Sequence, residues 1–189
     1  PSVKEALDLI KGRLTIPVVY NCGGYERPEI LREYSGYIDI YLPDLKYYDS
    51  NLSQKYSAAR DYFSKASAAI TEMIHLAGGL TWNPDSPSLL KKGVIIRHMV
   101  LPGAKEDSIK LLHWMKESLP ENQYLLSLMS QYTPFHKSSM YPEINRRITT
   151  YEYKKVVDTA IELGLMNGYM QKKSSAKEEY TPLFDLSGV

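Results

Sequence analysis

Gly93-Val94-Ile95-Ile96-Arg97-His98-Met99-Val100-Leu101-Pro102-Gly103 carries most of the information about the fold. Its apolar residues run almost without interruption, the pattern of a strand covered on both faces in a parallel sheet. The Pro-Gly pair then stops it. A second run, Tyr37-Ile38-Asp39-Ile40-Tyr41-Leu42-Pro43-Asp44-Leu45-Lys46, ends similarly, turning polar at Asp44 and Lys46. In parallel α/β proteins the chemistry sits where strands end, so these two ends are where a site belongs.

Working outward, Leu14 to Tyr20 reads as a β-branched strand running into the turn Asn21-Cys22-Gly23-Gly24-Tyr25. Ahead of it, Ser2 can cap a helix through Lys11, with Glu5 completing a capping box and Gly12 ending it. Pro28 starts a short helix through Glu33. From Gln54 to Ala77, apolar residues recur at three-to-four spacing (Tyr56, Ala59, Phe63, Ala66, Ile70, Met73), which predicts one long amphipathic helix stopped by Gly78-Gly79. Thr81 to Lys92, with Pro84 and Pro87, reads as a loop. Beyond the Gly93 strand come a helix over Glu106 to Ser118, a strand over Tyr124 to Met129, and a long loop from Ser130 to Ile148. A helix over Thr149 to Leu163 is closed by Gly164, and Leu165 to Gln171 makes a last short strand.

Strands therefore alternate with helices, over connections too long for hairpins, which implies βαβ crossovers and a parallel sheet. Five strands are too few for a closed eight-stranded barrel of about 250 residues. The fold expected is α/β: a partial (β/α) barrel, a truncated TIM-like parallel sheet with outer helices, over residues 1–171. Residues 172–189 lack periodicity and read as a tail or packed extension.

Composition narrows the function classes. The chain has 189 residues, 43% hydrophobic and 24% charged, with net charge +1, an ordinary globular balance with one core. Near-neutral, interspersed charge argues against a nucleic-acid partner. No apolar run reaches about 18 residues and no signal-peptide pattern is present, so neither a membrane span nor secretion is indicated. The single cysteine excludes an internal disulfide and is compatible with a cytoplasmic setting. One cysteine also cannot hold an iron–sulfur cluster or a structural zinc by itself.

Asp44 and Lys46 are two apart in a strand and share a face with Ile38, Ile40 and Leu42. An acid and a base there suit a zwitterion-binding or Schiff-base position; a solvated ion pair would contribute about 1 kcal/mol or less. Arg97 and His98 are adjacent, so one faces the barrel interior and the other lies under helices. A buried arginine needs an anionic partner, which makes Arg97 the stronger candidate. A histidine in a core is more often bonded to backbone than catalytic. The Gly23-Gly24 turn lacks a full phosphate-binding fingerprint, and Cys22 reads as a small buried hydrophobe. His136, in the loop after the Tyr124 strand, resembles an ordinary surface histidine, and His75 and His113 sit on helices. No histidine pair has metal-ligand spacing and no Ser/His/Asp arrangement can be argued, so no catalytic or metal residue is assigned.

Read together, Tyr20-Asn21-Cys22-Gly23-Gly24-Tyr25-Glu26, Ile40-Tyr41-Leu42-Pro43-Asp44-Leu45-Lys46-Tyr47 and Arg97-His98-Met99-Val100-Leu101-Pro102-Gly103 resemble radical S-adenosylmethionine (SAM) enzymes of the pyruvate formate-lyase activating enzyme type. Ser127 to Pro134 and Arg147 to Tyr153 extend the resemblance over residues 14–171. It implies a partial (β/α)₆ barrel whose 4Fe-4S cluster is held by a three-cysteine loop after the first strand. SAM, bound to that cluster, is reductively cleaved to a 5′-deoxyadenosyl radical. A glycyl-radical enzyme of the pyruvate formate-lyase kind would be the protein substrate, and flavodoxin or ferredoxin the reductant. The cysteine loop and the Gly-Gly-Glu motif are absent, which leads to the expectation that this is the C-terminal part of a longer enzyme and inactive alone. By the same resemblance Asn21 would contact the methionine end of SAM, with Asp44 and Lys46 near its amine, carboxylate and ribose. Arg97 would line the barrel below the nucleoside, and Tyr132, or alternatively His136, would stand where the family has a histidine. Two other readings are a barrel aldolase using Lys46 as a Schiff-base nucleophile, which needs a desolvated lysine, and a non-catalytic α/β interaction module.

Overall fold

Along the Gly93 strand the pleat sorts side chains into two environments. Val94, Ile96, His98 and Val100 are buried at 2% exposure or less, while Arg97, Met99 and Leu101 on the alternate face stay partly open. In the computed structural model, which describes residues 2–170, this strand is the centre of the sheet.

The elements in chain order are α1 (Ser2–Ile10), β1 (Val19–Cys22), α2 (Pro28–Glu33), β2 (Ile40–Pro43), α3 (Ser50–Ser57) and α4 (Tyr62–Ala77). Then come β3 (Thr81–Asn83), β4 (Ser86–Met99), α5 (Lys105–Ser118), β5 (Leu125–Met129), a 3-10 helix (His136–Met140), α6 (Thr150–Glu162) and β6 (Gly168–Met170). Strand order is β1-β2-β4-β5-β6, every neighbouring pair parallel, with β3 antiparallel to β4. The parallel α/β sheet with flanking helices is thus as expected, and it does not close into a barrel. The register Ile95↔Leu125 through Met99↔Met129 aligns the carboxyl ends of β4 and β5.

The helices cover one face. Tyr41, Ile96 and Leu128 of the sheet share a continuous core with Ile70 and Met73 of α4, Leu111 and Met115 of α5, and Val156 of α6. Among the described residues, the opposite, concave face carries a small cluster: Ile40, Leu90 and Leu125, with Leu80 and Ile95 against them. None of the helices among the described residues is long and apolar enough to cross a membrane.

Three expectations need correction. Thr81 to Lys92 is not a loop: it forms β3 and the first half of β4, a hairpin turned at Asn83, whose Oδ1 accepts from the Asp85 amide at 3.0 Å. The prolines that argued for a loop are tolerated because the β3–β4 register is irregular. Leu80, just ahead of the hairpin, and Leu90 within it pack with Ile40, Leu125 and Ile95 on the concave face. The predicted helix from Gln54 to Ala77 is two helices, α3 and α4, broken at Ala58, whose φ of 52° is left-handed. Asp49 starts α3 by accepting the amides of Asn51 (2.6 Å) and Leu52 (3.3 Å). The strand expected over Leu14 to Tyr20 begins only at Val19 and continues through Cys22. The expected tail, residues 172–189, lies outside the described residues.

Candidate functional site

The concave face becomes polar at the carboxyl ends of β1, β2 and β4. Period-two alternation sets Asn21 of β1, Asp44 just beyond β2 and Arg97 of β4 on that face, and Asp44 pairs with Arg97 as a parallel bridge. Arg97 Nη2 donates to Asn21 Oδ1 at 2.6 Å and lies 2.6 Å from Asp44 Oδ1. Lys46 Nζ stands 3.7 Å from Asp44 Oδ2. One carboxylate thus serves two cations, and Arg97 Nε is buried without a partner among the described residues. A cationic surplus with an unused donor favours an anionic group on an incoming ligand. The side chains of Asp44 and Arg97 are 23% and 25% exposed, which leaves them accessible while limiting solvent screening. Beside them is a pocket of about 70 Å³ lined by Asp44, Lys46, Tyr47, Arg97, Met99, Leu101 and Met129, apolar on its far wall.

The backbone behind this group is tied down from the helix side. The Asp44 amide donates to the Cys22 carbonyl (3.0 Å) and the Leu45 amide to the Arg97 carbonyl (2.8 Å). His98 Nδ1 donates to the Leu45 carbonyl at 2.6 Å, which fixes the tautomer, so Nε2 accepts from the Ser108 hydroxyl at 2.8 Å. His98 is therefore the backbone-bonded core histidine, and burial lowers its pKa below 6.5 so that it stays neutral. Gly24 has φ of +80°, and a Cβ there would lie 2.1 Å from the Asp44 carbonyl oxygen, so only glycine lets the β1 turn pass this close.

Two carboxylates brace the surrounding loops. Buried Asp107 of α5 accepts the amides of Tyr48 (3.0 Å) and Asp49 (2.7 Å), which holds the segment leaving β2; burial raises its pKa against those bonds. Glu152 of α6 accepts from Arg146 at 2.7 and 2.9 Å, from the Gly103 amide at 2.8 Å and from Thr149 in a capping box. The Arg146 guanidinium is the main reason its pKa lies far below the usual carboxylate range. Glu152 therefore fixes the Leu101-Pro102-Gly103 turn against the start of α6.

Of the residues singled out from the sequence, the structure brings Asn21, Asp44, Lys46 and Arg97 together. Tyr132 is half-buried, and burial together with nearby Tyr47 raises its pKa; it does not line the pocket beside the four-residue group. His136 opens the 3-10 helix, exposed, beside the ring of Phe135, and has no contact with the four-residue group among the described residues. Cys22 is half-buried against the helix-side core, and burial pushes its thiol up to about 11. Among the described residues no group of three or more His, Cys, Asp and Glu side chains is placed to hold a metal. The sequence reading overlooked Tyr62, whose hydroxyl touches Gly23, Asp44 and Lys46. With α3 and α4 read as one helix, nothing marked that tyrosine as the first residue of a new one.

No protein-family model matches the chain. It is 30% identical over 152 residues to an uncharacterized protein of Methanocaldococcus jannaschii, a match covering 79% of this chain and 39% of that protein. The chain thus spans well under half the length of that relative. Among solved structures it is similar to a domain of pyruvate-formate lyase-activating enzyme from Bacteroides vulgatus, with a TM-score of 0.58 and 16% identity, covering 89% of this chain and 91% of that one. At that identity the likeness concerns architecture: both chains share an α/β fold, here an open parallel sheet with its helices on one face.

Proposed function

We propose that this chain supplies the SAM-binding part of a radical SAM activating enzyme. The observation that carries the reading is the group formed by Asp44, Lys46 and Arg97 on the concave face at the strand ends, with opposite charges spaced for a zwitterion and an apolar wall beside them. The similarity in fold to a domain of an enzyme named for activating pyruvate formate-lyase supports it. Asp44 is the partner for an ammonium, Lys46 and the Arg97 guanidinium charge for a carboxylate, and Asn21 orients the guanidinium. Met99, Leu101 and Met129 offer soft, apolar contact to a thioether-like or nucleoside surface. In enzymes of this type SAM supplies the 5′-deoxyadenosyl group.

The residues of this chain do not fit a 4Fe-4S cluster. Such a cluster is held by several cysteine thiolates, whereas the chain has one cysteine, half-buried with its thiol held protonated. On this reading the cluster ligands, the radical chemistry, a glycyl-radical enzyme as substrate and a flavodoxin or ferredoxin reductant are properties of a longer protein. An aldolase is disfavoured: the Lys46 side chain is 44% exposed and beside a carboxylate, without the desolvation a Schiff-base lysine needs.

Calorimetric titration of SAM into the chain tests the proposal. Lys46→Ala should weaken binding by about 1.5–3 kcal/mol, and Asp44→Asn by less, since the amide keeps an acceptor. 5′-Methylthioadenosine, which has the nucleoside without the amino-acid end, should not distinguish wild type from Lys46→Ala. No SAM binding, or affinity unchanged from wild type in both variants, overturns the reading.

A further inference from the structure

Beyond Pro43 the strand β2 outruns its neighbour. β1 ends at Cys22, and the chain turns away through Gly23 and Gly24. In a parallel ladder one residue of the adjacent strand donates its N–H to a carbonyl and accepts, through its own carbonyl, the N–H two residues further on. Here the β1 side supplies no such backbone partner among the described residues, yet the two backbone groups are satisfied. The Tyr62 hydroxyl donates to the Asp44 carbonyl at 2.8 Å and accepts the Lys46 amide at 3.1 Å. It also lies 3.0 Å from the Gly23 carbonyl, which shares its proton. A single side-chain oxygen stands in for the strand residue that β1 does not supply.

Tyr62 is held for this. It is 4% exposed at the first position of α4, its ring stacked on Tyr25 at 6.0 Å and edge-on to Tyr47 at 5.5 Å. Tyr25 also donates to Asp61, the residue before α4, at 2.5 Å. Burial keeps the Tyr62 phenol protonated and able to donate at any ordinary pH.

We propose that Tyr62 is a positioning residue of the site: its hydroxyl keeps the chain extended from Asp44 to Lys46, so that both charged side chains stand on the concave face toward the ligand. The proposal rests on the SAM-binding reading, and its test separates the two. Tyr62→Phe keeps the ring and removes the hydroxyl. The Lys46 amide should then exchange with solvent about tenfold faster, a loss equivalent to one hydrogen bond. The Leu45 amide, bonded to Arg97, should change little. SAM affinity should fall about tenfold in the wild-type background and less than about twofold when added to Lys46→Ala, because Tyr62 acts through Lys46 and Asp44. Tyr25→Phe, an exposed change that frees Asp61, should shift both readouts in the same direction by a smaller factor. Unchanged Lys46 exchange in Tyr62→Phe, or a loss of affinity that simply adds to that of Lys46→Ala, overturns the proposal. If the wild-type chain binds no SAM, the functional reading fails, and faster or unchanged Lys46 exchange alone decides for or against Tyr62 as the strand-end anchor.

Discussion

The two faces of β4 make opposite use of one strand. Toward the helices, Val94, Ile96 and Val100 are fully enclosed and His98 has both ring nitrogens bonded. Toward the concavity, Arg97 is a quarter exposed, keeps an unpaired donor and faces a carboxylate across the bridge to Asp44. A one-residue step therefore separates groups that hold the fold from groups that can engage a ligand. The pleat makes that separation, and the helices enforce it by covering only one side.

The helix face should carry more of the stability than the concave face. Ile70→Ala, at a fully buried position of α4, should cost about 2–5 kcal/mol in urea denaturation, while Met99→Ala on the concave wall should cost clearly less. Equal losses would erase the distinction. Acid should destabilise the fold in two stages. His98 has a pKa lowered from 6.5, so its contribution is complete above pH 6.5 and declines as pH falls, because the unfolded chain takes up the proton first. Glu152 and Glu143 ionise below their ordinary 4.5, Glu143 down at about 2 through Lys55 and Tyr56, so their contribution is present above pH 4.5 and lost as pH falls through the folded values. Melting temperature should drop in those two stages. Glu152→Gln should lower it at neutral pH, by about 1–2 kcal/mol of stability, and flatten the lower stage. Lys46→Ala is the reverse case: large for ligand binding, under about 1 kcal/mol for stability, since the lysine is half exposed. Val19→Thr, on the concave side of the edge strand, should lie within about 0.5 kcal/mol of wild type.

The parallel order and the face carrying Asp44, Lys46 and Arg97 were legible because both follow from period two and from connection lengths. Asn21 was reachable as the first residue of the turn that follows a strand, although only resemblance gave it a role. The hairpin was hidden because Pro84 and Pro87 mimic a loop, and its pairing with β4 is too irregular to show as alternation. The helix break was hidden because Ala58 and Ala59 favour a helix locally. What interrupts it is tertiary: Tyr62 is needed at the strand ends, 16 to 18 positions away from Lys46 and Asp44 in sequence. Tyr132 and His136 sit in an irregular connection, where no periodicity relates residue number to direction.

The strictly sequential neighbour relation of the strands has a consequence for biosynthesis. Along the path β1-β2-β4-β5-β6 each strand docks beside the one that precedes it on that path, and β4 folds back on β3 as it is made. No early strand waits for a late one to fill a gap between them, as happens in sheets that grow outward from the middle. Such a chain can be assembled in the direction in which a ribosome extrudes it, β2 gaining its second neighbour once Gly93 and Val94 have been made. The Tyr62 contact follows the same schedule: the strand end it completes is made before α4 begins.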